Sequence, residues 1–523
     1  MEEKLENTVL DLVALKSKAD RLFENKQHQR ALDCYLKLND YIPNHLSIVY
    51  KIVLCYSYLK IYEIVIQYCN QIIEKQKNNP DVDKDYLSYF YFFRGNAYGS
   101  IENSAFGSKE DNYKKAIDDF SECLKNNPKD ERVSSYIGYC YIFLDDLHNA
   151  ARHLVKSNTD VLEVMNCCKN EKVVSLMLDA EIKDKNNSTL FSKAMSDGEI
   201  EDITSKEYIA YRDIYIKVLE IIALLHVNDS NEKSVAHYTR ISTAEQLIFN
   251  DSPFRLNTIL TANDPKEGLD LFEFLDLNKT DNDESSDFQA FIGSFTFNHD
   301  SLNQFRLYGK EDDKEATGIS LVFDENFFNG AIVSCVNPSC LLDNKKNDDG
   351  NGKKSLFRCI YVDPVSKQLI SIGQREMWTF YREYDVSGEE LYNKYKEYID
   401  GIFIKVKGSL NELKDLINKL DNKKVNVLSE LLLMLRYLTK NMAFKEEQEC
   451  RIVTIENITK NPNILPEKKD GDFTQMYINY QTVKDCIEKV YFAPKAKGQE
   501  MFNIQIKRFG LNIRSHESTH KIS

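Results

Sequence analysis

The stretch "KAIDDFSECLKNNP" (residues 115–128), set beside "RALDCYLKLNDYIP" (30–43), decides the first part of the fold. In both, a small residue (Ala116, Ala31) is followed four positions later by an aromatic ring (Phe120, Tyr35). An apolar residue comes three after that (Cys123, Leu38), and a proline five further on (Pro128, Pro43). A partner helix stands upstream of each, with Ala19 in "KSKADRLF" and Gly95 in "FRGNAYGS". A further unit runs through Gly138, Tyr141, Ala150 and Leu154, so Ala116 to Ala150 is a step of 34 residues. Between the copies, "YEIVIQYCNQIIEKQKNNP" (62–80) is degenerate, with Val65 and Cys69 in the small and aromatic places. Small residues let paired helices approach closely, and the aromatics fill the grooves between neighbouring pairs.

This pattern resembles the tetratricopeptide repeat, with about four repeats across 12–158. The segment 161–183 adds one or two packing helices, and "SIENSAFGSKEDN" (100–112) reads as an insertion in a repeat loop. The resemblance implies an array that binds a protein or peptide in its groove, or packs on its own chain, and that catalyses nothing.

With 523 residues the chain is too long for one ordinary core. Hydrophobic residues at 42% and charged residues at 29% match a globular composition, and the net charge of −14 disfavours a nucleic-acid partner. The start "MEEKLENTVL" lacks a signal-peptide pattern, and "IYIKVLEIIALLHV" (214–227) is too short and too charged to span a bilayer. No membrane partner is expected. Twelve cysteines lie scattered without zinc spacing, and Cys167-Cys168 reads as two packed or idle thiols. The expected location is cytoplasmic, or a host cell reached without a signal peptide.

Composition divides the chain into a helical repeat domain (1–185), a linker and bridging helix (186–233) and an α+β domain (234–523). The linker is polar and turn-rich, and 206–229 has helical apolar spacing. Beyond it, "FQAFIGSFTF", "TGISLVFD", "SLFRCIYVD", "ECRIVTIE", "IEKVYFAP" and "NIQIKRFG" read as strands, with helix across 387–442. The fold class is α+β overall: an all-α solenoid, then a domain with a mixed or antiparallel sheet.

In "AFKEEQECRIVTIE" (443–456) the run after Glu447 alternates. As a strand it puts Glu447, Glu449, Arg451 and Val453 on one face and Cys450, Ile452 and Thr454 on the other. As a helix it would turn the two carboxylates away from each other. The β-branched tail favours the strand, with a preceding helix ending near 444–446.

Four stretches of this half combine: 235–268 ("VAHYT…NDPKEG"), 294–324 ("SFTFNHD…SLVFD"), "FRCIYVD" (357–363) and "KNMAFKEEQECRIV" (440–453). They carry His237, Tyr238 and Thr239; Asn263, Asp264, Pro265 and Glu267; Tyr308 and Gly309; and Phe444, Glu447, Glu449 and Arg451. Together they resemble the bacterial DUF2971 family, domains of unknown function, although Phe305 or Arg306 stands where that family often has tryptophan. Their order is also similar to that of ADP-ribosyltransferases. That resemblance implies NAD as a substrate, held by His237, Tyr238, Thr239, Arg240 and Tyr308. His237 would touch a ribose hydroxyl and the amide region, and Tyr308 would stack on nicotinamide. Glu449 would hold the ribose hydroxyl beside an oxocarbenium-like transition state, and Glu447 would orient the acceptor or act as base. A second mapping puts Arg240 in the place of the histidine, with "SFT" (294–296) as the polar strand. Asn263, Asp264, Glu267 and Arg451 would support the site, and no metal is expected.

Each piece has a plainer reading: a hydrogen-bonded structural histidine, one tyrosine among 30, a turn at Asn263–Pro265, a helix cap at Glu267. The acidic stretches 281–287 and 344–352 lack calcium-loop spacing and read as solvated loops. Three functions therefore compete: an NAD-using effector or toxin, a non-enzymatic interaction protein, and a nuclease-like effector with Asp264, Glu267 and Glu449 on a metal.

Overall fold

The computed structural model describes the chain except residues 1, 77–78, 80–82, 102–105, 129, 131, 184–188, 228–231, 233, 259–266, 278–286, 312–313, 329–353, 385–386, 470–471 and 521–523. Two compact units divide the described chain at Lys183/Asp184.

The first unit is helical. Its helices are α1 (Glu2–Glu24), α2 (His28–Tyr41), α3 (Leu46–Tyr58), α4 (Tyr62–Gln76), α5 (Lys84–Ser100), α6 (Lys109–Asn126), α7 (Arg132–Phe143), α8 (Leu147–Lys156), α9 (Val161–Cys168) and α10 (Glu171–Lys183). Each packs on a sequence neighbour, and α3 also reaches α5, which is the stacking of a hairpin array. The four hairpins from α1 to α8 are the four repeats read from the sequence, and α9–α10 is the added pair.

The small positions do what the pattern requires. Ala31, Ala116 and Ala150 are fully buried. A Cβ on Gly95 would stand 3.0 Å from the Phe120 ring, and one on Gly138 would stand 2.7 Å from Leu154. Arg94 ties three helices, donating to Asp119 through Nε (2.9 Å) and a terminal nitrogen (2.6 Å), and to Asn70 at 2.7 Å. Asp83, Ser108, Asp146 and Asp160 cap α5, α6, α8 and α9 through their side chains. Because Gly138 has no room for a side chain, Gly138→Val is expected to cost about 1–3 kcal/mol by overpacking. A lowered urea midpoint of the far-ultraviolet helical signal reads it, and an unchanged midpoint refutes the close approach.

The second unit begins with α11 (Leu190–Asp197) and α12 (Lys206–Leu224). Its strands are β1 (Val235–Thr239), β2 (Arg255–Thr258), β3 (Phe288–Thr296), β4 (Ile319–Phe323), β5 (Leu356–Arg358), β6 (Ile360–Asp363), β7 (Gln368–Ile372), β8 (Thr439–Asn441), β9 (Glu449–Asn457), β10 (Ile464–Lys469), β11 (Asp472–Asn479), β12 (Ile487–Phe492) and β13 (Arg514–Glu517). The large sheet runs β10-β11-β2-β3-β1-β4-β12-β13, with β9 on β3 and β5 on β9. It is antiparallel except where β13 joins β12. A small sheet runs β7-β6-β8. The protein is therefore α+β, with helical hairpins followed by a sheet-containing unit.

One topological detail creates the site. β9 pairs with β3 along its length, from Phe288↔Asn457 to Thr296↔Glu449, and so takes one whole edge. The other edge is shared: β2 takes Phe291 and Ile292, and β1 takes Thr296. The sheet splits there, and Gly293–Phe295 face the opening. Beneath it lies an aromatic core in which Phe254, Phe295, Phe323 and Phe327 pack ring to ring.

Three sequence expectations are corrected. "NIQIKRFG" is not a strand: Gln499–Arg508 is a helix burying Phe502 and Ile506 at i,i+4, and glycines at positive φ (Gly498, Gly510) flank it. "SLFRCIYVD" is not one strand but β5 and β6, which leave Cys359 for different sheets. The expected helix across 387–442 includes the helix Gly388–Asn418, but 439–441 is β8.

Candidate functional site

The stretch 443–456 is a 3₁₀ turn, Met442–Glu447, then Gln448 in the left-handed region (φ 47°), then β9. Asn441 starts the turn by accepting from the Ala443 N–H. Glu449 and Arg451 alternate on β9 as expected, and Cys450 and Ile452 enter the core on the other face. Glu447 is not on the strand. It belongs to the turn, and the left-handed Gln448 brings its carboxylate round to the same side as Glu449.

At the split lies a cavity of about 690 Å³. His237, Tyr238, Glu267, Tyr308, Glu447, Glu449 and Arg451 all line it. Thr239 and Arg240 do not, and Arg240 is exposed ahead of the helix Ile241–Phe249. Asn263 and Asp264 lie outside the described residues.

The floor of the cavity is a chain of charges. Tyr308 Oη donates to Glu447 Oε1 at 3.0 Å. The Lys440 ammonium donates to Glu447 Oε2 and, at 2.6 Å, to Glu449 Oε2. Arg451 grips Glu449 with two donors (2.7 and 3.0 Å), gives a third to the Tyr437 carbonyl (2.7 Å), and pairs with Glu267. The backbone is fixed too: Glu449 N–H donates to Tyr361 Oη, and Thr296 Oγ1 donates to the Glu447 carbonyl. Burial pushes the Glu449 carboxyl up, but Arg451 and then Lys440 outweigh it and hold the group at about 2. Glu449 is thus a fixed, ionised carboxylate. Burial pushes the Tyr308 phenol up, as does Glu447, so it stays a neutral donor.

On the wall, His237 Nδ1 is 2.9 Å from the Ser294 carbonyl. A carbonyl only accepts, so Nδ1 carries the proton. Burial holds the ring below its ordinary range and neutral, which leaves Nε2 an acceptor. Tyr238 points elsewhere: its hydroxyl donates to the Asn298 carbonyl and accepts from Ser301 N–H, and its ring packs on Phe305. Its role is to hold the loop after β3.

Sequence reasoning missed Lys440. It stands in "LTKNMA" with no acidic neighbour in sequence, and only the parallel pairing of β8 with β6 brings it under β9. For the nuclease-like reading, Arg451 sits between Glu267 and Glu449, a cation where that chemistry needs a metal. Among the described residues no group of His, Cys, Asp or Glu is placed to hold a metal ion, and no helix is long and apolar enough to cross a membrane.

No family model matches the chain, and no curated protein matches it. Solved structures similar to its helical part include a MamA RS-1 double mutant (18% identity, 28% of this chain and 74% of that one, TM-score 0.24). They also include TTC0263, a tetratricopeptide protein of Thermus thermophilus (12%, 41% and 99%, 0.25), and the TPR2AB domain of yeast Sti1 with pHSP90 (14%, 40% and 98%, 0.17).

Proposed function

We propose that the protein is an interaction protein whose helical array binds a protein or peptide. One observation carries this reading: a tyrosine patch on the first helices of adjacent hairpins. Tyr50 of α3 meets Tyr86, Tyr89 and Phe93 of α5 at 6.0, 5.3 and 5.9 Å between ring centres, and Tyr89 is 44% exposed. Rigid aromatic rings with polar tips are efficient contact surface for a peptide. The test is a photo-crosslinking amino acid at position 89 of the full chain, expressed in its own cells. A discrete protein adduct that weakens with Tyr50→Ala supports the reading, and its absence removes it.

A second reading is favoured by the convergence of His237, Tyr308, Glu447 and Glu449 on one cavity. In it the second unit uses NAD, by ADP-ribosyl transfer or by hydrolysis, as the motif order and the DUF2971-like stretches suggest. Tyr308 and Phe444 would flank the nicotinamide, and His237 Nε2 would accept from a ribose hydroxyl. Glu449 would stabilise developing positive charge through the lone pairs that Arg451 and Lys440 leave it. Incubation with labelled NAD and lysate should then give label transfer or nicotinamide release that Glu449→Gln abolishes. Neither product from the wild type leaves the interaction reading alone.

A further inference from the structure

A second cavity of the same unit, about 510 Å³, lies apart from the site above. Its walls come from the loop after β3, the helix Met377–Tyr384, β12 and β13. It is cationic in a chain of net charge −14: Arg375, Arg382, Lys489 and Arg514 stand against Asp300, Glu383 and Glu488. Two of those carboxylates pair with cavity cations, Asp300 with Arg382 and Glu488 with Arg514, and both also accept from neutral donors. Asp300 accepts from Ser518 Oγ (2.6 Å) and from Thr519 N–H and Oγ1 (3.1 and 2.9 Å) of the C-terminal segment, besides Arg382. Glu488 accepts from Ser234 Oγ at 2.9 Å and from Arg514.

Lys489 is the informative group. It is 8% exposed, and its ammonium reaches one partner among the described residues, Glu383 Oε1 at 3.5 Å. Glu383 already receives Arg375 at 2.9 Å through its other oxygen. An ammonium carries three donors, and burying it with one long contact is costly. A structural lysine would be better satisfied; a ligand-binding one keeps its donors for the ligand.

We propose that this cavity binds a phosphomonoester, with the phosphate on Lys489, Arg382 and Arg514 and its organic part against Trp378. A dianion suits the set, because guanidinium forks and a point-charge ammonium together satisfy several phosphate oxygens. The volume exceeds that of a phosphate group alone, so an organic body is accommodated. Trp378 and the stacked pair Tyr491–His516 (5.1 Å) supply flat apolar walls for it. Arg382 lies over the Trp378 ring at 4.5 Å, which places a donor beside that wall. Glu383 is the competitor the phosphate must face.

Trp378 is the single tryptophan of the chain, so its fluorescence reports on the cavity directly. Titration of the full chain with phenyl phosphate, and separately with inorganic phosphate, at constant ionic strength is expected to give a saturable change. Phenyl phosphate should bind more tightly, which distinguishes a phosphorylated organic molecule from free phosphate as the ligand. Lys489→Gln should weaken binding at least tenfold, and so should Arg382→Gln, whose half-exposed side chain makes misfolding no explanation. Glu383→Gln should tighten it severalfold. The proposal is overturned by no saturable change in the wild type, by unchanged affinity in Lys489→Gln, or by a Glu383→Gln variant that weakens binding.

Discussion

Arg358→Met is expected to destabilise the second unit by about 3–5 kcal/mol, the cost of removing one partner of a buried ion pair. Arg358 and Glu232 have no side-chain exposure, and two guanidinium nitrogens meet the two carboxylate oxygens. Tyr395 Oη donates to the same carboxylate, and Arg358 gives a further bond to the Gly373 carbonyl at 3.2 Å. The pair thereby joins β5, the segment ahead of β1, the strand end at Gly373 and the long helix Gly388–Asn418. Removing the guanidinium leaves the Glu232 carboxyl without its cation in a fully buried site. Adding Glu232→Gln should recover part of the loss, because the charge that became unpaired is then gone. Trp378 reports the unfolding of this unit in urea, and the first unit has no tryptophan to confuse the signal. A loss below about 1 kcal/mol in the single variant would show that the pair is not structural.

The parts legible in the sequence were those fixed by local spacing. Ala116, Phe120 and Ala150 repeat because each hairpin must solve the same packing problem, so the array appears in one dimension. Glu449, Arg451 and the core-facing Cys450 and Ile452 follow from the period of a strand. What was not legible depends on pairing at long range. β13 is parallel to β12 and its residues Arg514–Glu517 are all exposed, so it carries no alternation to detect. Gln499–Arg508 holds β-branched and aromatic residues, but its burial has a helical period and the flanking glycines stop it. Lys440 is an isolated lysine until β8 is laid beside β6. Glu232, an isolated acid near the junction of the two halves, shows its importance only when Arg358 is placed opposite it.

The same logic makes Lys440→Met the decisive test of the cavity floor. Lys440, Glu447 and Glu449 are each less than a tenth exposed, and the ammonium is the charge that separates the two carboxylates. Without it, Glu447 keeps Tyr308 as its one side-chain partner among the described residues, and the cost at neutral pH is expected to be about 3–5 kcal/mol. The pH dependence carries the sign. Glu449 titrates at about 2 in the folded state, below the roughly 4.3 of an unfolded glutamate. Its stabilisation is therefore present above pH ~4.3 and is lost as pH falls from there toward 2. In Lys440→Met this depression shrinks, so the variant has less to lose on acidification. The gap between variant and wild type should narrow from pH 7 to pH 3.5, read by Trp378 fluorescence in urea. Glu447→Gln in the same background should restore stability at pH 7 by removing the carboxylate left unpaired. A gap independent of pH, with no recovery on Glu447→Gln, would mean that Lys440 acts by packing its aliphatic stem, and the charge chain would lose its role in shaping the site.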